Sequence, residues 1–364
     1  MKIGILTHHY VKNFGATLQA TALYETIKKI NPDAKVEFIN YTIKKHKFKN
    51  VIRFFRYRYD RDTPKSYVEK LKLLNSHRKD EKKLPRSKKM KSAEDINSEN
   101  YDLIIIGSDE VWNFKDIAYS PIKFGYGLKK TKVITYAASV GDSSIEDEVP
   151  KEVMVGINSL NSISVRDKKS LELCFDTGHM ATKVLDPVFI YEFPQINLSE
   201  NNFDKEKKDY ILIYDCRITN DQINEIKKFA KKKDLDIIGA GEHRKWYSYD
   251  KTNVTALEWA SLFKKAAFII TGTFHGASFS IKYRKNFIVY ATENNRIRKV
   301  SSLLQDLNQR ERIITPNSDF NKLQKLLNTP IDYNQTNEIL NHKINESIAY
   351  LKNSIKDDEN IKYV

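Results

Sequence analysis

The sequence predicts an α/β protein of two parallel-sheet domains flanking a ligand cleft. Three observations predict it. Short apolar runs such as Leu103-Ile-Ile-Ile106 and Tyr210-Ile-Leu-Ile-Tyr214 alternate with stretches of helical periodicity. Three glycine-bearing turns directly follow apolar runs, where strand ends in parallel sheets receive ligands. A polar stretch, residues 197–209, interrupts the alternation, after which it restarts.

Residues 2–7 read as a buried strand, 15–30 as a helix with Ala16, Ala20, Leu23 and Ile27 near one face, and 35–41 as a strand. Strands at 103–106, 132–138, 162–165 and 184–185 follow, with helices at 149–160 and 168–175 between them. Asp186-Pro187 closes this half and reads as a shaping element for the crossing. The second half gives strands at 210–214, 235–238, 266–270 and 286–290, with helices at 220–232, 255–265, 276 onward and 301–310. Polar helices run from about 337 to 356. The division expected is a first domain over 1–195 with a basic insertion at 44–91, a second over 205–330, and a helical tail, 331–364, crossing back to the first.

The chain has 364 residues, enough for two sizeable domains, and an ordinary 40% apolar content. Cys174 and Cys216 have no metal spacing and call for no disulfide. No signal peptide and no stretch of about 18 apolar residues is visible, so a cytoplasmic location is expected. The formal charge is +15. Residues 44–91 hold 19 Lys and Arg against 5 Asp and Glu, a difference of +14, together with Phe48, Phe54, Phe55, Tyr57 and Tyr59. Nucleic acid, an anionic membrane surface or a phosphorylated substrate would suit such a patch, and so would a solvated insertion. No nucleic-acid reading module is present, so nucleic acid is not expected.

The first turn spans His8, His9 and Tyr10 through Asn13, Phe14, Gly15 and Gln19. Gly15 would admit a close ligand, with helix N–H donors beyond it and Gln19 pointing back one turn later. The second is Gly107-Ser108-Asp109-Glu110-Val111-Trp112-Asn113. Asp109 would accept from a sugar hydroxyl or cap a helix, and Trp112 would cover a sugar face or sit in the core. The third carries His275, between Gly272 and Gly276, with Thr273 and Ser278 as anion ligands. Arg166 ends a strand, placed to hold a carboxylate or phosphate or to pair with Asp167. The stretch 242–246, including His243 and Trp246, reads as an exposed rim. No metal is expected: the Asp60/Asp62 and Asp234/Asp236 spacings lie in the basic segment and at the wrong end of a strand.

Six stretches, taken together, resemble the polysaccharide pyruvyl transferase family. They are residues 13–23, 107–113, 136–141, 164–167, 185–187 and 274–281, in the family's order. The resemblance implies two Rossmann-like domains facing a central cleft, as in the two-domain (GT-B-like) glycosyltransferase fold. It implies transfer of pyruvate from phosphoenolpyruvate, the co-substrate, onto two hydroxyls of a sugar, forming a ketal and releasing phosphate without a further cofactor. His275 matches the family's catalytic histidine, Arg166 its anion-binding arginine, and Asp109 its acidic position. Some members carry an arginine where Thr273 stands.

On this reading Arg166, Asn13, Gly15, Gly272, Thr273, Gly276 and Ser278 take the donor, and Asp109, Glu110, Trp112 and Gln19 the acceptor. The acceptor expected is a lipid-diphosphate-linked glycan precursor or polysaccharide unit. Arg53, Arg56 and Arg58 would touch its phosphates or an anionic membrane surface, making the enzyme peripheral at the inner face of the cell membrane. A glycosyltransferase using a nucleotide sugar is the alternative, and a non-catalytic sugar- or lipid-binding protein a further one.

Overall fold

The computed structural model describes residues 1–46, 48, 52, 64–144, 146–198, 208–292 and 294–356. Two separate parallel sheets, each with its helices, make an α/β fold. The first sheet holds β1 (Lys2–Leu6), β2 (Lys35–Tyr41), β3 (Arg86–Met90), β4 (Leu103–Ile106) and β5 (Lys132–Thr135), in the order β3-β2-β1-β4-β5. A short parallel pair, β6 (Ser164–Val165) and β7 (Thr182–Lys183), extends it through bridges from Ile134 to Ser162 and Ala138 to Val165. The second sheet holds β8 (Tyr210–Tyr214), β9 (Asp236–Ala240), β10 (Tyr249–Lys251), β11 (Phe268–Thr271), β12 (Asn286–Tyr290) and β13 (Ile313–Ile314). Its order is β10-β9-β8-β11-β12-β13, again parallel throughout.

The central strands have the sequences that parallel pairing selects. β4 (Leu-Ile-Ile-Ile) and β11 (Phe-Ile-Ile-Thr) are buried along their whole length, because helices cover both faces of such a sheet. In each sheet the chain order reverses beside the first strand, between β1 and β4 and between β8 and β11. A crevice opens at such a reversal. The turns carrying Asn13, Asp109 and His275 follow β1, β4 and β11, so all three stand at these crevices.

Several expected boundaries move. The strand expected at 184–185 is instead β7 at Thr182–Lys183, and Asp186 caps a short helix, Pro187–Ile190, by accepting from the Val188 N–H at 3.2 Å. His275 lies inside its helix, Phe274–Lys282, rather than ahead of it, because the Thr273 side chain takes the N-cap and accepts from the Gly276 N–H at 3.0 Å.

The basic segment is only partly a surface insertion. Its last residues form the edge strand β3, where Arg86, Lys88 and Lys89 are exposed and guard the edge against further pairing. Before it, the helix Pro64–Lys83 buries Leu73 and Leu74 in the core shared with the second sheet. Its Asp80 accepts from the Ala256 N–H at 2.8 Å, at the start of the helix Ala256–Lys265. A carboxylate is favoured at that positive helix end. Phe14, which opens the helix Phe14–Ile30 after β1, stacks on Trp259 of the second half with centroids 5.6 Å apart. The long helix Asn334–Lys356 begins against the second sheet, with Leu340 in its core, and ends with Leu351 and Ile355 beside Ile3 and Ile5 of β1.

Candidate active site

A cavity of about 270 Å³ is lined from both halves of the chain. The first half contributes His8, Asn13, Asp109, Glu110, Asn113 and Arg166, and the second Gly272, Thr273, Phe274, His275 and Lys299. At its base Arg166 donates from Nη1 to Asp186 at 2.7 Å and from Nη2 to Asp109 at 3.1 Å, with its guanidinium 4.5 Å from the centre of the Phe274 ring. The adjacent Asp167 does not pair with it: that carboxylate caps the helix Lys168–Asp176. His275 Nε2 stands 3.7 Å from the Asp186 carboxylate, too far for a hydrogen bond, and has no hydrogen-bond partner.

The backbone fixes this cluster. Asp109 has φ +77°, a conformation costly for a residue with a Cβ, which strand ends and ion pairs hold in place. Gly15 packs face to face with the histidine: a Cβ there would lie 2.2 Å from His275 Cγ. Thus the first turn sets the position of the third. The helices Phe14–Ile30 and Phe274–Lys282 both begin at the cavity, with their caps Asn13 and Thr273 in its wall. Two helix N-termini favour an anion there.

The charges set one another. Burial alone would raise the Asp109 carboxyl, but Arg166 and His275 outweigh it and hold it at about 2. Asp186, fully buried, is likewise kept below its ordinary value against its burial by His275 and Arg166. Burial raises Glu110 despite Lys299, whose Nζ reaches across the cavity to Glu110 at 3.0 Å and Asp142 at 3.2 Å. Burial also lowers Lys123 to about 7, and its Nζ lies 3.5 Å from His8 Nδ1. His8 Nε2 faces the Glu110 carbonyl at 3.3 Å, and burial and Lys123 push that imidazole well below its ordinary value.

The structure brings His275, Arg166, Asp109, Glu110, Asn13, Gly272 and Thr273 together, with Gly15 directly behind His275. Four residues lie outside the cavity wall. Trp112 is in the core, stacked on Phe124 at 5.4 Å and donating to the Lys123 carbonyl, so it covers no sugar. Gln19 is fully buried and braces the strand end by donating to Thr7 Oγ1 at 3.3 Å. Ser278 is buried one helical turn below the cavity and returns its hydroxyl to the Phe274 carbonyl. Gly276 serves the helix start, where a Cβ would lie 1.9 Å from Thr271 Oγ1. Arg53, Arg56 and Arg58 fall outside the described residues. The rim expected at 242–246 is a turn in which buried Glu242 accepts from Tyr247 at 2.6 Å. Asp186 and Lys299 are the residues the sequence reading missed. Among the described residues no group of three or more His, Cys, Asp or Glu side chains is placed to hold a metal ion.

The sequence pattern of the polysaccharide pyruvyl transferases matches residues 13–294. The chain belongs to that family. Pyruvyl transferases of this family use phosphoenolpyruvate as co-substrate and place a pyruvyl group on sugar hydroxyls as a ketal. No curated protein sequence matches the chain. Solved structures resemble its fold at low identity. The UDP-GlcNAc 2-epimerase of Neisseria meningitidis is 10% identical, with 98% of this chain and 100% of that one covered and a TM-score of 0.56. The Methanocaldococcus jannaschii UDP-GlcNAc 2-epimerase is 11% identical over 92% and 94% of the two chains, with a TM-score of 0.54. A Listeria monocytogenes protein described as a UDP-N-acetylglucosamine 2-epimerase is 9% identical over 99% and 98%, with a TM-score of 0.53. For this pyruvyl transferase the likenesses describe a two-domain, GT-B-like α/β architecture and nothing of its ligands.

Proposed function

We propose that two Rossmann-like domains, residues 1–195 and 205–330, face each other across the cavity and transfer pyruvate from phosphoenolpyruvate to two hydroxyls of one sugar. His275 protonates the methylene carbon of the donor, leaving positive character on the neighbouring carbon. One sugar hydroxyl adds there, phosphate leaves, and the second hydroxyl closes the ketal. Of the two hydroxyl protons, one is accounted for in the new methyl group and the other leaves on phosphate.

The unpartnered His275 Nε2, 3.7 Å from the Asp186 carboxylate, is the observation that carries this reading. That carboxylate faces the ring without fixing it by a hydrogen bond, and a small movement brings the ring to substrate. Arg166 keeps its charge toward the donor while two carboxylates fix its plane. Asn13, Thr273 and the two helix starts receive the donor's anionic groups. Asp109, held near 2, is a weak base, so it orients an acceptor hydroxyl rather than removing its proton. Glu110 stands beside it on the acceptor side. Lys299 joins the two walls and helps close them over the donor, limiting access of water. A sugar on a lipid diphosphate is the acceptor this reading favours, with the enzyme peripheral at the inner face of the cell membrane.

The test is phosphate release from phosphoenolpyruvate with a panel of lipid-linked and aryl glycosides, followed by mass analysis of the sugar. Acceptor-dependent release with gain of a pyruvate ketal is expected. Binding of a nucleotide sugar, with transfer of its sugar and no such release, would overturn the reading.

A further inference from the structure

The helix Pro64–Lys83 sorts its charges by face. Its three described acids turn inward: Glu69 accepts from Thr252 at 2.6 Å, Asp80 from the Ala256 N–H at 2.8 Å, and Glu81 pairs with Lys12 and Arg86. Its opposite face carries Tyr67, Val68, Leu71, Lys72, Asn75, Arg78, Lys79, Lys82 and Lys83, all exposed. These positions recur every three to four residues and so form one stripe along the helix. The stripe is apolar at its start, where Val68 is 50% and Leu71 55% exposed, and cationic over its second half. Phe48 and Ile52, earlier in the same basic segment, are also exposed.

We propose that this face docks the enzyme on an anionic membrane surface, with Val68 and Leu71 entering the interface and Arg78, Lys79 and Lys82 meeting lipid phosphates. Charge complementarity selects the occupant. A soluble helix gains nothing by exposing Leu71 beside Val68, whereas an interfacial helix lies flat with such residues in the headgroup layer and its cations at the phosphates. Single-stranded nucleic acid would use the cations but gives the aliphatic residues no partner.

The opposite face of the helix is bound to the catalytic halves. His77 lies 4.6 Å, ring to ring, from Phe14, the residue after Asn13 of the cavity wall. A docked helix therefore holds the cavity within about two helix diameters, roughly 20 Å, of the bilayer. The proposal deepens the acceptor side of the function given above, and its deciding readout is vesicle binding rather than turnover.

The experiment is co-sedimentation of the full chain with phosphatidylcholine vesicles, with and without phosphatidylglycerol, at about 0.1 M salt. Binding only to the anionic vesicles is expected. Neutralising Lys79→Gln and Lys82→Gln should weaken it by about fivefold for each charge. Leu71→Ser, which leaves the charge unchanged, should weaken it severalfold. Circular dichroism and turnover on a soluble glycoside should stay as in the parent protein. Equal sedimentation of parent and variants, no binding to anionic vesicles, or preference for single-stranded RNA over them would each overturn the proposal. Vesicle binding without pyruvyl transfer would leave docking standing and remove the catalytic reading alone.

Discussion

On the first-half wall of the cavity Arg166, Asp109 and Glu110 each meet an opposite charge, whereas on the second-half wall His275 keeps a ring nitrogen without a hydrogen bond. The first wall is a fixed field: its charges are set by one another and by a backbone held at positive φ. The second presents a side chain on a helix start, packed against Gly15 and 3.7 Å from the Asp186 carboxylate without a hydrogen bond to it. A fixed field stabilises charge that develops in a reaction, and a proton carrier must be able to change partners. The two walls therefore divide the work.

The largest effect should come from removing the carrier. His275→Gln keeps the side chain's bulk and polarity, and turnover should fall by about 10³-fold while thermal unfolding barely moves. Phosphate release together with circular dichroism measures both, and turnover within tenfold of the parent would end the division. Next comes the packing that aims the carrier. Gly15→Ala suits a helix but drives a methyl into the imidazole, so a loss of about 10²-fold in kcat is expected. A crystal structure of that variant should show the ring displaced.

The smallest effect tests the field. Asp109 is depressed when folded, so its contribution to stability is present above its unfolded value near 3.8 and is lost as pH falls toward 2. Asp109→Asn should therefore lower stability by about 2 kcal/mol at neutral pH and flatten its decline between about pH 4 and 2. Denaturant titration at several pH values reads this, and an unchanged acid limb would show that the carboxylate is not held by Arg166.

The sequence exposes some of this arrangement and conceals the rest for physical reasons. The three turns were legible because each joins a buried apolar run to glycine or a polar residue, a local pattern. Asp186 was not, because its neighbour Pro187 makes it look like a simple corner; its partners are Arg166, 20 residues away, and His275, much further along the chain. Trp112 was ambiguous, since an indole serves a sugar face or a core equally well until Phe124 is seen beneath it. Gln19 has the spacing to face the loop, yet the strand end takes its amide first. The basic segment reads as helical in pieces, and the helix within 64–83 is one of them, with Lys70, Leu73, Leu74, His77 and Asp80 recurring at helical spacing on its buried side. Strands as short as β10 and β13 carry no pattern to read.

The helix Asn334–Lys356 imposes an order on biosynthesis. Tyr350 donates to the Thr135 carbonyl at 3.0 Å, Ser347 accepts from the Leu185 N–H at 2.9 Å, and Leu351 packs with the strands made first. A ribosome thus finishes the first sheet long before its final covering exists. At roughly 5–20 residues per second the early half waits about 10–30 seconds for its last layer. During that interval its apolar face is open to chaperones, and a chain stopped just short of residue 347 would leave it so.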